Sequence, residues 1–155
     1  MEIRFAKLRD VPGIITLLRQ VGRVHHEGRP DIFREDCQKY SPSQVIAMLE
    51  VPDSPILVAA EGAQILGYCF CQIHRYAQDP VMADRSTLYI DDLCVEETCR
   101  GKGVGKALYE AACAHGREQS CGSITLNVWC CNEKAMRFYE HLGLVPQKIG
   151  MEKML

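Results

Sequence analysis

From Ile3 to Lys7 apolar and basic side chains alternate with the period of two that a half-buried strand requires. The period then changes. Ile14, Leu17, Leu18 and Val21 recur at i, i+3, i+4 and i+7, one stripe of a helix that Asp10 can cap and that carries Pro12 in its first turn. Gly22 to Tyr40 mixes charges, imidazoles and breakers without a clean period, and reads as irregular or partly helical. Ser41-Pro42-Ser43-Gln44 supplies a cap, a proline at the first helical position and a glutamine three residues after the cap. A short helix bearing Val45, Ile46, Met48 and Leu49 is expected to start there.

Pro52-Asp53-Ser54-Pro55 breaks that helix. The runs Ile56 to Ala60 and Ile65 to Tyr76 flank the turn-like Glu61-Gly62-Ala63-Gln64 and predict a β-hairpin. Ala77 to Ser86 is a polar loop. Thr87 to Val95 reads as a strand interrupted by Asp91-Asp92, and Lys106 to Gln119 as a helix with Ala107, Leu108, Ala111, Ala112 and His115 on one face. Ser123 to Val128 predicts another strand. Asn132 can cap a last helix on which Ala135, Phe138, Tyr139 and Leu142 recur at helical spacing, with Gly143 suited to its end. Leu144 to Leu155 is expected to add one or two closing strands.

Strands and helices thus intermingle along 155 residues, of which 47% are hydrophobic and 25% charged, as in one globular α/β domain spanning 1–155. A formal net charge of -2 argues against a partner bound through many phosphates, so no nucleic acid is expected. The N-terminus lacks a basic segment leading into an apolar one, and no apolar run approaches spanning length. A cytoplasmic setting without membrane contact is the expectation. Nine cysteines form no C-x-x-C pair, and their odd number points to reduced thiols and no metal. His25 and His26 lack a third ligand at metal spacing and read as part of an ordinary connection.

The chemistry concentrates in Arg100-Gly101-Lys102-Gly103-Val104-Gly105-Lys106, between a strand and a helix. Three glycines let the backbone turn tightly and lie close to a ligand, while the following helix offers unpaired N–H groups and the positive end of its dipole. Arg100, Lys102 and Lys106 add formal charge, which suits a pyrophosphate. A nucleotide P-loop is excluded because Arg100 stands at its first glycine and Ala107 at its hydroxyl position. A dinucleotide fingerprint starting at Gly101 fails because Lys106 replaces its last glycine.

Two segments together carry a family resemblance. The first is the strand Leu88 to Val95 followed by Arg100, two residues, Gly103, one residue and Gly105. The second places Asn132, Ala135, Phe138, Tyr139, Gly143 and Leu144 at fixed spacing. In this order the chain resembles, over nearly its whole length, the GNAT superfamily of acetyl-CoA-dependent N-acetyltransferases. The resemblance implies a GNAT fold of α/β (α+β) type: a mixed, mostly antiparallel sheet of seven strands, the fourth and fifth splaying apart, and about four flanking helices.

It also implies site residues. Backbone groups of Leu93, Cys94 and Val95 would bond the pantetheine of acetyl-CoA, and the amides of Arg100, Gly101, Lys102, Gly103, Val104, Gly105 and Lys106 would hold its pyrophosphate. Asn132 would bond the coenzyme arm, and Tyr139 would sit near the sulfur as the acid that eases thiolate departure. Asp91 is expected as the base for the amine, with an oxyanion donor from a backbone N–H near Leu93 or Cys94. Asp91, Asp92, Glu27 and Asp31 would gather negative charge for a cationic acceptor, the acidic pair being similar to that of the diamine and aminoglycoside branches. Adjacent strand residues face opposite ways, so at most one of Asp91 and Asp92 is expected to face the acetyl group. The expected activity is acetyl transfer to the primary amine of a small molecule. Peptide or protein acetylation and a non-catalytic acyl-CoA-binding domain stand as alternatives, and many relatives pair as homodimers.

Overall fold

A computed structural model describes residues 1–155. The elements follow the order β1 (Glu2–Phe5), α1 (Val11–Gly28), α2 (Pro42–Met48), β2 (Ile56–Glu61), β3 (Gln64–Tyr76), β4 (Arg85–Val95), α3 (Val104–Glu118), β5 (Ser123–Leu126) and α4 (Glu133–His141). The strands lie in one sheet in the order β1-β2-β3-β4-β5. All neighbours are antiparallel except β4 and β5, which run parallel.

Helices cover both faces of the sheet, and the burial of β3 shows it: every residue from Ile65 to Cys71 is buried. On one face α1 and α2 pack Ile14, Leu17, Leu18 and Val45 against Val58, Tyr68 and Phe70. On the other, α3 packs Val104, Leu108 and Ala112 against Cys69, Cys71, Leu88 and Ile90. Each fully buried aliphatic side chain contributes about 1.5–3 kcal/mol, so the sheet is held from both sides.

Local chemistry sets several boundaries as expected. Ser41 and Gln44 form a reciprocal capping box at α2. Gly62 turns the hairpin at a φ of 59°, and Gly143 ends α4 at 87°. Asp10 departs from expectation: its side chain does not cap α1. It accepts from Arg4 at 2.6 and 2.9 Å and from the Lys7 amide at 2.7 Å, tying β1 to the turn before the helix.

The stretch from Gly22 to Tyr40, read as irregular or partly helical, divides: α1 runs on to Gly28, and 29–40 is irregular. Gly22 is needed there because a Cβ would lie 1.8 Å from the Cys37 carbonyl, where the 29–40 segment crosses the helix. The last twelve residues form no strand, so the sheet has five strands and not seven. Apolar alternation can support a strand only where a partner edge completes the ladder. Here the Leu144 amide bonds the Tyr139 carbonyl in closing α4, and Val145, Ile149 and Met151 stay exposed.

Candidate active site

β4 and β5 pair only from Thr87↔Ser123 to Ile90↔Leu126. Beyond Leu126 the fifth strand ends, while β4 continues to Val95. The Glu96 amide bonds the Leu66 carbonyl on β3 at 2.8 Å. Strand alternation therefore turns the N–H and C=O of Cys94 toward β3 and those of Leu93 and Val95 into the gap left by β5. The Cys94 thiol is buried, donating to the Leu17 carbonyl at 3.6 Å. Burial pushes it up to about 12, so it stays a thiol near neutrality.

Gly101 and Gly103 adopt φ of 75° and 82°, with open space where a Cβ would stand. Gly103 is the N-cap of α3, and no side chain caps the helix. The first helical bond runs from the Ala107 amide to the Gly103 carbonyl. The amides of residues 101 to 106 thus have no backbone acceptor, as a helix N-terminus leaves them. Arg100 lies 3.5 Å from Glu97 and Lys106 3.7 Å from Glu110, both exposed pairs that an anion could displace. A Cβ at Gly105 would lie 3.2 Å from the Phe138 ring, so that glycine lets α3 and α4 approach closely.

Gln20, which the sequence pattern did not single out, ties this region together. Buried on α1, it donates to the Val95 carbonyl at 3.0 Å and accepts from the Glu97 amide at 3.2 Å. A polar residue on the buried stripe of an amphipathic helix was the signal available.

β3 and β4 fall out of register between Phe70↔Asp92 and Cys71↔Ile90, which leaves Asp91 as the extra residue of a β-bulge. The expectation that Asp91 and Asp92 face opposite ways is thereby overturned: both reach the α1–α2 face. Asp91 accepts from the Tyr40 hydroxyl at 2.6 Å and pairs with Lys39 at 2.8 Å, one oxygen each. Lys39 also donates to the Asp91 carbonyl at 2.8 Å. Asp92 accepts from the Tyr68 hydroxyl at 2.9 Å and makes no ion pair. Burial pushes the Asp92 carboxyl up to about 6, against the lowering effects of Tyr68 and the Lys39 charge.

Tyr139 lies on α4, its ring edge-to-face with Phe138 at 5.1 Å. Burial first, then the neighbouring Cys69, Asp92 and Cys94, raise its phenol well above the usual range, so it is protonated at neutral pH. Asn132 caps α4 by accepting from the Ala135 amide at 3.2 Å, which leaves its side-chain NH₂ available. Asp31 is bound by Arg29 at 2.7 and 2.8 Å, and Glu27 is exposed on the last turn of α1. The structure therefore does not concentrate the four expected carboxylates: Asp91 and Asp31 each have a cation of their own.

A sequence model of the acetyltransferase (GNAT) family matches residues 23–144. A solved structure of a mutant BH1408 protein from Bacillus halodurans is 36% identical, with a TM-score of 0.95 over 100% of this chain and 99% of that one. An uncharacterized N-acetyltransferase from Lactobacillus delbrueckii subsp. lactis is 32% identical over 139 residues, 88% of this chain and 79% of its own length. The uncharacterized N-acetyltransferase YhfO of Bacillus subtilis is 29% identical over 92% of this chain and 89% of its own. The chain belongs to the GNAT acetyltransferase family. It is an N-acetyltransferase, and the donor used by that family is acetyl-CoA.

Proposed function

We propose that this enzyme transfers the acetyl group of acetyl-CoA directly to the primary amine of a small molecule, with Asp92 as base and Tyr139 as acid. The observation that carries this reading is the half-buried Asp92, held by the Tyr68 hydroxyl and free of any ion pair, two residues past the point where β4 loses its β5 partner, where its charge adds to burial in raising the Tyr139 phenol. A base works best with a pKa near the operating pH, which the position of Asp92 at about 6 satisfies. Asp91, the base expected from sequence, has both oxygens engaged by Lys39 and Tyr40 and serves instead to position them.

In this reading the free amides from Gly101 to Lys106 hold the pyrophosphate, and the Leu93 backbone and the Val95 N–H align the pantetheine, the Val95 carbonyl being held by Gln20. The Asn132 amide bonds the arm. Asp92 takes one proton from the acceptor ammonium, the amine nitrogen bonds the thioester carbonyl carbon, the C–S bond breaks as Tyr139 protonates the sulfur, and the second nitrogen proton, now acidic, returns to the Tyr139 phenolate. A backbone N–H at Leu93 steadies the carbonyl oxygen meanwhile.

A small acceptor is supported by a bridge between the chain after α1 and the loop after β5. Phe33, after α1, meets Trp129, after β5, edge-to-face at 5.1 Å. A Cβ on Gly28 would lie 2.9 Å from the Cys131 sulfur, so the helix end and that loop are in contact. An extended peptide would need this bridge to open. Incubation with acetyl-CoA and a panel of small amines, followed by thiol release and amide product, tests the reading. Turnover confined to peptides would overturn the small-molecule assignment.

A further inference from the structure

Lys39 stands where the acceptor's own charge would be expected. Its ammonium bonds both the side chain and the carbonyl of Asp91 at 2.8 Å and lies 5.7 Å over the Tyr40 ring. The Asp91 side chain is only 10% exposed while Lys39 is 42% exposed, so the lysine reaches in from the surface to a carboxylate that is fixed in place. The two aspartates that the bulge turns to one face are thereby made unequal, one neutralised from within the chain and the other left to the acceptor.

We infer that Lys39 is a specificity-determining residue: held on Asp91, it occupies the place of a second positive charge and restricts the enzyme to acceptors that bear a single amine. This rests on the proposed placement of the acceptor nitrogen at Asp92. An ammonium entering toward Asp92 meets one free carboxylate. A second ammonium on the same molecule meets Lys39 and a carboxylate already paired. Like charges brought together in a partly desolvated site disfavour binding strongly, enough for about tenfold or more in selectivity.

The neighbouring side chains fit the same kind of acceptor. His25 stacks on Phe33 at 4.9 Å, and Phe33 meets the part-exposed Trp129. Burial and then the Lys39 charge hold the His25 imidazole below its usual value, so near pH 7 it is a neutral ring in this wall. An aromatic wall of this kind offers apolar contact to the body of an amine. Phenethylamine has that chemistry, whereas putrescine and spermidine do not.

The test compares kcat/KM for phenethylamine, putrescine and spermidine in the wild type, Lys39→Met and Lys39→Arg, with acetyl-CoA saturating. The wild type is expected to favour phenethylamine at least about tenfold. Lys39→Met should shift the ratio toward the polyamines by about tenfold or more, through lower polyamine KM, and Lys39→Arg should keep the wild-type ratio. Because only the ratio between acceptors is read, a general loss of activity from disturbed folding cannot mimic this result. Equal use of spermidine and phenethylamine by the wild type, or an unchanged ratio in Lys39→Met, would overturn the inference while leaving acetyl transfer intact. If the wild type acetylates none of the amines, the proposed function fails and this inference with it.

Discussion

Tyr68 donates its hydroxyl proton to Oδ2 of Asp92 at 2.9 Å, from a ring that is fully buried between Phe70 and the α1 core. The phenol steadies the carboxylate without neutralising it, and burial holds the acid at about 6. Asp91, one residue earlier, has Tyr40 and Lys39 on its two oxygens. The contrast between the two defines which carboxylate is free to accept a proton.

The pH profile should follow that carboxylate. Asp92 must be ionised to act as base, so kcat/KM is expected to fall as pH drops through about 6. Asp92→Asn should lower kcat by about 10²–10⁴-fold and remove this limb, whereas Asp91→Asn should retain it. Steady-state rates across pH check this, and an unaltered limb in Asp92→Asn would exclude Asp92 as base.

Asp92 also makes a prediction about stability with the opposite sign to its catalytic value. Its folded pKa is raised, so above the unfolded value near 3.9 the ionised form burdens the folded state, increasingly until pH passes the folded value. At pH 7 the Asp92→Asn variant should therefore melt above the wild type. Thermal unfolding at pH 7 and pH 4 measures it, the difference shrinking at the lower pH.

Tyr139→Phe keeps the ring against Phe138 and removes the acidic proton. Turnover is expected to fall about 10²–10⁴-fold with little change in acetyl-CoA affinity. Single-turnover kinetics beside calorimetric binding separate the two, and turnover within a few-fold of wild type would reject the acid role.

The open amides of the glycine loop predict where coenzyme affinity resides. Hydrogen bonds to a charged group are worth about 1.5–3 kcal/mol each, so pantetheine, which lacks the diphosphate, should bind at least about a hundredfold more weakly than CoA. Comparable affinities would mean that the helix N-terminus of α3 holds no pyrophosphate. Gln20→Ala should weaken CoA binding as well, because it unties Val95 from Glu97. It should also destabilise the fold by about 1–3 kcal/mol by leaving the Glu97 amide without its partner.

Asp10 should dominate acid sensitivity at the other end of the sheet. The Arg4 guanidinium holds its carboxyl below the usual range, helped by the Lys7 amide and opposed by burial. A depressed folded pKa contributes stability that is complete above the unfolded value near 3.9 and lost as pH falls through the folded one. Asp10→Asn is expected to cost about 3–5 kcal/mol at neutral pH, since it strands a largely buried Arg4. Its melting midpoint should vary less with acidification than that of the wild type.

Most elements were legible because their signals are local. Helix stripes, the Ser41–Gln44 box, the Gly62 turn and the glycine loop depend on residues a few positions apart, and the spacing of Arg100, Gly103, Gly105, Asn132 and Tyr139 was enough to place the chain in its family. How far α1 extends past Gly22 was hidden, because the reason for that glycine is the Cys37 carbonyl fifteen residues on. The expected closing strands failed for a related cause, since apolar alternation says nothing of whether an edge is present to pair with.

The linear order of residues thus determined the fold class, the loop that offers free amides and the two segments that mark an acetyltransferase. Tertiary structure alone decided the relation between Asp91 and Asp92. A strand's alternation is a local rule, but a bulge arises from register against β3, and it turned two side chains expected on opposite faces onto one. Which of them stays free then depended on Lys39 and Tyr40, more than fifty positions away in the chain, brought to Asp91 by the packing of the 29–40 segment across α1.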